Sequence, residues 1–221
     1  DLSLTDDIDA EYKLTVNYSA SMRVKDPDNA LVNGPINATS KLPSTINFDD
    51  GDRNFKAGSL VNNRISGLAE LLVRGPHYGL ALSGDGFYDQ VYHHPNDNDS
   101  PGTVNKSEPP PSRFTDGARY YDGQRVRLLD AYAYGDFTLW DMNLNVRAGQ
   151  HLVAYGQSLF FSGVALAQSR ADATKAFIPG AEIKSILLPT NQVSFRLGVT
   201  NDLSMVGYYK LAFRANEIFP E

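Results

Sequence analysis

The feature that most constrains the fold is a run of thirteen residues near the start, YKLTVNYSASMRV (12–24). Apolar and polar side chains alternate along it without a break, which is the period of an extended strand whose two faces meet different surroundings. Strands of globular domains have about 5–6 residues, so this segment is about twice the usual length. A tilted strand needs roughly 9–11 residues to cross a bilayer, and this one is long enough to do so.

The alternation recurs along the chain and predicts about seven long strands in an all-β fold. The predicted strands cover residues 12–24, 61–73, 78–88, 125–137, 140–154, 181–199 and 203–213. The pattern is least clean in 125–137. Pro189 interrupts the sixth strand, and we expect a bulge or bend there.

Long and short connections also alternate. Residues 25–57, 93–123 and 155–180 are long and rich in Asp, Asn, Pro and Gly, whereas tight turns are expected near 75–77, 135–139 and 200–202. Long loops at one end and short turns at the other are typical of outer-membrane barrels. Within loop 155–180, residues 160–177 have helical periodicity, so we expect a short helix that folds inward as a constriction or plug.

The strand lengths and faces together predict an antiparallel transmembrane β-barrel with long extracellular loops. In hydrocarbon every backbone polar group needs a partner, so extended chain crosses only as a closed sheet. Tyr12, Tyr78 and Trp140 begin three strands on the apolar parity, where an interfacial girdle belongs, and Tyr88 is expected near the opposite interface. The alternative is a soluble β-sandwich, which needs much shorter strands and turn signals every 8–12 residues.

The amino-acid composition excludes several classes of fold and binding partner. The chain has no cysteine, which excludes a disulfide scaffold, and no apolar run approaches the roughly 20 residues of a membrane-spanning helix. The net charge is −6 without a basic cluster, which argues against a nucleic-acid partner.

We expect residues 1–221 to be a single domain that forms the N-terminal portion of a larger barrel. Single-chain bacterial barrels have an even number of strands, so seven cannot close. The opening DLSLTDDID is what a mature protein shows after removal of a signal peptide.

Several stretches resemble a family of Gram-negative outer-membrane β-barrel proteins described only as domain of unknown function 1302. They are NFDDGDRNF (47–55), LVNNRISGLAEL (60–71), RLLDAYAYGDF (127–137), VRAGQHLVAYGQSLFFSG (146–163) and IPGAEIKSILLP (178–189). The resemblance covers nearly the whole chain. It implies an outer-membrane location and a part in moving hydrophobic compounds with periplasmic envelope-transport partners, and it supplies no established activity.

The chain departs from this family pattern at four positions. Tyr155 and Gln157 stand where the family usually has Trp and Glu, and Ser169 and Arg170 stand where it usually has Asn-Pro. Any chemical role of that Glu would therefore be lost here. Family members are usually much longer, which agrees with the expectation of a larger barrel.

Charged residues expected to face the lumen are the candidate substrate-binding site. Arg127, Arg147, Glu182 and Lys184 lie on strands that flank loop 155–180, and Gln157 lies in the loop itself. Charges that line a pore set its solute selectivity. The mixed signs do not predict a simple cation or anion pore, and the alternative is a salt-bridged interior of the kind any barrel has.

Catalytic and metal sites are not expected. His151, Ser158 and Asp130 are the residue types of a hydrolase, but Ser158 lacks the flanking glycine of a nucleophile elbow. The acidic stretch 49–52 and the histidine pair 93–94 lie in oxygen-rich loops, yet neither has the spacing of an EF-hand. We therefore predict a protein that is not an enzyme and that has no metal or other cofactor.

Three functions remain open. The first is a porin-like outer-membrane barrel that passes or hands over a small hydrophobic solute. The second is an occluded structural or adhesive barrel that binds through loops 25–57 and 93–123. The third is a soluble carbohydrate-binding sandwich.

Overall fold

The structure is a computed structural model, and it describes residues 2–28, 31–32, 37–39, 41, 50–99, 110–153, 170–175 and 186–218. The strands are β1 (Leu2–Thr5), β2 (Ile8–Met22), β3 (Leu60–Arg74), β4 (Tyr78–Asp89), β5 (Gln124–Leu139), β6 (Met142–His151), β7 (Arg170–Ala171), β8 (Leu187–Leu188), β9 (Thr190–Gly198) and β10 (Ser204–Lys210). The helical pieces are α1 (Asp50–Arg53), α2 (Asp116–Ala118), two 3₁₀ turns (Gln90–His93 and Ala173–Lys175) and one π turn (Arg119–Gly123).

Eight strands form one sheet in the order β1-β2-β3-β4-β5-β6-β9-β10, and β7 and β8 form a separate two-stranded sheet. The pairs β1–β2, β5–β6, β6–β9 and β9–β10 are antiparallel. The predicted all-β fold is therefore confirmed. The sheet has one strand more than predicted, because β1 has only four residues and is too short for alternation to reveal.

The eight-stranded sheet is open in the part of the chain that the structure describes. β1 and β10 are its two end strands, and they do not pair with each other. The transmembrane barrel thus stays a prediction. Among the described residues no helix is long and apolar enough to span a membrane.

The turns differ from the prediction at one place. Gly75–His77 and Thr200–Asp202 lie between strands as expected. The turn predicted near 135–139 is wrong, because β5 continues to Leu139 and the chain reverses at Trp140 and Asp141. Both residues have positive φ, 50° and 64°, which matches the two-residue type I′ hairpin. Trp140 therefore occupies a turn and does not begin a strand.

The predicted strand 181–199 is divided at Pro189. Residues 187–188 pair with 170–171, and a new strand begins at Thr190. Proline lacks the N–H that a continuous ladder needs, so the strand cannot continue unchanged through it. Of the six described residues of loop 155–180, two form β7, three form a 3₁₀ turn, and Asp172 between them forms a bridge with Glu217. The remainder of the helix predicted for 160–177 lies outside the described residues.

On β2 and β4 the apolar row is more exposed than the polar row. Tyr12, Leu14 and Val16 of β2 are 57–59% exposed. On β4 the large apolar side chains at 78, 80, 82 and 88 are exposed, while Ser83, Asp85 and Asp89 are buried. In water-soluble sheets the apolar face is the buried one, so this distribution is the reverse.

The shielded parity of β5 changes within the strand. Arg127 reaches Asp85 and Asp130 binds Ser83, so residues three apart face the same side. Alternation would place them on opposite sides. Leu129 has the parity of the exposed residue Phe137 but is consequently buried, and Leu128 is exposed. This parity change explains why the alternation of residues 125–137 is uneven in the sequence.

The chain falls into two compact units by its internal contacts. The first comprises Asp1–Val16, Gly67–Gly86 and Val126–Ile218, and the second comprises Asn17–Ser66, Phe87–Arg125 and Phe219–Glu221. In the first unit Leu68, Leu129 and Leu188 form a small hydrophobic cluster. The expectation of one domain within a larger barrel is not tested by this division and stays a prediction.

Candidate functional site

A buried group of charged side chains on the shielded face of β4 and β5 is the candidate site of the first unit. Arg127 Nε lies 3.3 Å from Asp85 Oδ1. The Arg127 side chain is 12% exposed and that of Asp85 is 7% exposed. An ion pair this far removed from water is tolerated only when further partners compensate for the lost hydration.

Those partners come from the connection between β6 and β9 and from the chain after β10. Arg127 Nη1 lies 2.9 Å from Asp172 Oδ2 and 3.2 Å from Glu217 Oε2. Lys175 Nζ contacts Asp85 Oδ2, and Arg170 Nη1 lies 3.3 Å from Glu217 Oε1. These six residues are called the ion cluster below: Asp85, Arg127, Arg170, Asp172, Lys175 and Glu217.

Backbone hydrogen bonds fix the segment that carries half of the ion cluster. Ala173 N–H donates to the Glu217 carbonyl, and Glu217 N–H donates to the Ala171 carbonyl, both at 2.9 Å. Asp172 also accepts hydrogen bonds from the backbone N–H and the hydroxyl of Thr174. Residues 170–175 therefore lie firmly against the shielded face, and the cluster joins them to β4 and β5 with three cations and three anions.

A second polar cluster in the first unit surrounds His151. His151 Nε2 lies 2.7 Å from Ser194 Oγ, and Nδ1 lies 3.1 Å from the Gly149 carbonyl oxygen. Gln192 donates to the His151 carbonyl at 2.8 Å. His151, Gln192 and Ser194 are all buried. The arrangement gives both ring nitrogens of His151 a hydrogen-bonding partner.

In the second unit, two buried arginines lie beside one aromatic ring. The Arg64 guanidinium carbon is 3.5 Å from the centroid of the Phe87 ring, and that of Arg125 is 5.9 Å from it. Arg125 also lies 5.1 Å from the Tyr121 ring. Cation–π contacts of this kind stabilise a guanidinium that has lost its water.

The loops of the second unit form an aromatic cluster. The ring centroids of Tyr92 and Phe114 are 4.7 Å apart, and those of Phe55 and Phe114 are 5.9 Å apart. Burial raises the pKa of the Tyr92 phenol above its ordinary value, with the nearby charges of Asp122 and Asp89 acting in the same direction. The cluster is therefore a dry patch within otherwise polar loops.

The structure separates the predicted site residues. Arg127 is in the ion cluster. Arg147 lies on β6 opposite Ser194, with its guanidinium 5.8 Å from the Tyr132 ring, and it is exposed. Gln157, Glu182 and Lys184 lie outside the described residues, so nothing tests their predicted role.

The alternation pattern gave no reason to select Asp172, Lys175 or Glu217. All three lie outside the long strands, where alternation carries no information. Their contacts span the chain, since Lys175 is 90 residues from Asp85 and Glu217 is 90 residues from Arg127. The only signal in the sequence was the expectation that loop 155–180 folds inward.

In the described part of the chain, the side chains considered for hydrolase or metal chemistry do not assemble into such a site. His151 pairs with Ser194, Asp130 accepts from Ser83, and Ser158 lies outside the described residues. In the acidic loop, Asp52 pairs with Arg23 at 2.7 Å. Among the described residues, no group of three or more His, Cys, Asp and Glu side chains is arranged to hold a metal ion.

Comparison with known proteins places the chain in one family. A family model described as a protein of unknown function, DUF1302, matches residues 1–221, which is the whole chain. Comparisons with curated proteins and with solved structures gave no match. The chain therefore belongs to the DUF1302 family.

Proposed function

We propose that this chain forms part of an outer-membrane β-barrel that passes or hands over a small hydrophobic solute. The observation that supports it is the reversed distribution of side chains on β2 and β4, where the apolar row is more exposed than the polar row. Exposed apolar patches of this extent mark surfaces that contact another apolar phase. Lipid is the phase that suits a row running the length of a strand, and periplasmic envelope-transport partners would receive or supply the solute.

The soluble sandwich is the less favoured reading. A sandwich buries apolar rows between two sheets. In the described residues the second sheet has two strands of two residues each, and the apolar row of β2 remains exposed.

An occluded structural or adhesive barrel is the second candidate, because the ion cluster fixes residues 170–175 against the shielded face. A closed lumen would leave binding to the long loops. Both candidate functions place the chain in the outer membrane, and they differ in whether any solute passes through the barrel.

Single-cysteine labelling tests the membrane location, since the chain has no cysteine of its own. Leu14→Cys places a thiol on the exposed row, and Thr15→Cys places the matched control one residue away on the opposite parity. We expect a bimane label at position 14 to be quenched by nitroxide-bearing lipids in vesicles, and a label at position 15 to be much less quenched. Equal quenching at both positions, or a chain that does not float with vesicles, contradicts the proposal.

Solute release distinguishes passage from occlusion. Vesicles loaded with 4-nitrophenyl glucoside and sucrose, an uncharged aromatic solute and a wholly polar one, would be compared with and without the inserted chain. Faster release of the aromatic solute supports passage. The absence of release for both solutes favours the occluded barrel.

A further inference from the structure

Two neighbouring pockets in the loops of the second unit have complementary linings. The first has a volume of about 310 Å³, and apolar side chains of Phe55, Val91 and Phe114 are in its wall. The second has a volume of about 360 Å³ and has Arg113 and Arg119 in its wall. Both volumes are at the lower end of the range for small-molecule sites.

The two pockets share a wall. His94, Pro95 and Phe114 border both of them. Phe114 is 6% exposed and carries the aromatic cluster with Phe55 and Tyr92. A molecule seated at this wall therefore meets apolar rings and lies beside a pocket whose wall includes Arg119.

The charged residues described in the wall of the second pocket are both arginines. Among the described residues that line it, two are arginines, two are histidines and none is acidic. Guanidinium groups bind carboxylates through charge-assisted hydrogen bonds, often in pairs. An anionic group is therefore the partner that this lining favours.

Backbone hydrogen bonds hold the three loop segments that build the pockets. Asn96 N–H donates to the Ser112 carbonyl at 2.7 Å, and Asp97 N–H donates to the Asn54 carbonyl at 3.1 Å. The loops that form the walls are consequently held together before a ligand binds. Binding to such a preformed site costs less free energy for ordering the loops.

We propose that this pair of pockets binds a small amphipathic carboxylate, with the apolar body against Phe55 and Phe114 and the carboxylate at Arg119. As a statement about the solute that the barrel handles, the inference rests on the proposed function. The binding of the carboxylate itself does not rest on the proposed function. Flotation with vesicles tests membrane location without involving Arg119, so the two can fail separately.

Three probes with the same ring and chain but different charge test the inference. The full chain in lipid nanodiscs would be titrated with 4-phenylbutyrate, 4-phenylbutyramide and 4-phenylbutylamine, with empty nanodiscs subtracted. We expect the carboxylate to bind roughly tenfold or more tightly than the amide, because a charge-assisted hydrogen bond contributes that much. The amine should bind most weakly.

Variants of Arg119 test where the carboxylate of the ligand binds. Arg119→Gln should weaken 4-phenylbutyrate binding to about the level of the amide and leave the amide unchanged, and Arg119→Lys should restore part of the difference. Arg74→Gln, at an exposed arginine outside these pockets, is the matched control and should have no effect. Equal affinities for the three probes, no binding of 4-phenylbutyrate, or an equal loss for carboxylate and amide in Arg119→Gln would each overturn the inference.

Discussion

Replacing Arg127 by methionine tests whether the ion cluster holds the connection between β6 and β9 in place. Methionine keeps an unbranched side-chain stem and removes the charge. Arg127 lies within 3.3 Å of carboxylate oxygens from Asp85, Asp172 and Glu217. After the substitution the cluster has two cations for three anions, and Asp172, which is fully buried, loses its guanidinium partner.

The expected loss in the free energy of unfolding is about 3–5 kcal/mol, the usual cost of leaving one member of a buried ion pair uncompensated. An exposed ion pair serves as the comparison for this free-energy loss. Arg74 Nη2 lies 2.7 Å from Glu11 Oε2, closer than any of the Arg127 contacts, but both side chains are about half exposed. Exposed pairs contribute about 0.2–1 kcal/mol, so Arg74→Met should cost several-fold less. Burial, rather than distance, decides the difference.

A double variant separates lost charge from lost packing. Asp172→Asn in the Arg127→Met background returns the cluster to two cations and two anions and keeps an acceptor for Thr174. We expect it to recover about 1–3 kcal/mol of the loss, a coupling typical of residues in one network.

Urea unfolding of the chain in lipid vesicles measures these differences. Fluorescence of Trp140, the single tryptophan, and far-ultraviolet circular dichroism follow the transition. A loss in Arg127→Met no larger than in Arg74→Met, or no recovery in the double variant, would refute the view that buried charge balance fixes this segment.

Three further outcomes are expected. Val16→Arg, on the exposed row of β2, should lower the unfolding free energy in vesicles by about 2–4 kcal/mol if the residue lies near the bilayer midplane. Gly149→Ala should cost at least about 1 kcal/mol and weaken hydrogen-exchange protection of the β5–β6 hairpin, because Gly149 has φ +128° and an added Cβ would collide with the Ala131 carbonyl oxygen. The hydrogen bond from the Ser59 hydroxyl lowers the pKa of Asp97. The hydrogen bonds of the ionised carboxylate therefore stabilise the loop fully at pH values above the ordinary pKa of aspartate. This stabilisation is lost as the pH falls through the lowered pKa. Exchange protection of the nearby loop amides should fall in that acidic range.

Matched substitutions control each outcome. Asn17→Arg, on the opposite parity of β2, should cost less than Val16→Arg, and equal costs would contradict the lipid-facing row. Gly67→Ala adds a Cβ at an ordinary 3.8 Å from the Thr15 carbonyl oxygen, so a penalty as large as that of Gly149→Ala would show that strain is not the cause. Asp97→Asn should abolish the acidic transition in the loop, and a transition that persists would assign it to another group.

Much of the fold was predictable because alternation is a local property. β2, β3 and β4 lie close to where the pattern placed them, and the exposed and shielded rows of β2 and β4 follow the predicted parities. The sequence also predicted which row of β2 and β4 is the exposed one, because strands long enough to cross a bilayer are expected to turn their apolar row outward.

The candidate site was predictable only in part. Arg127 was selected because it lies on a strand next to loop 155–180, and it is in the ion cluster. Arg147, selected for the same reason, belongs to a separate exposed group beside Tyr132. Strand position alone therefore did not distinguish a buried network member from an exposed side chain.

The amino-acid sequence by itself determined the all-β class, the long strands and the break at Pro189, because backbone period and proline chemistry act within a few residues. Only the tertiary structure decided the parity change in β5, the turn at Trp140 and Asp141, and the meeting of Asp85, Arg127 and Lys175. These depend on register and on contacts between residues up to 90 positions apart. Pairing of that kind depends on how strands and loops pack together, and local alternation carries no information about it.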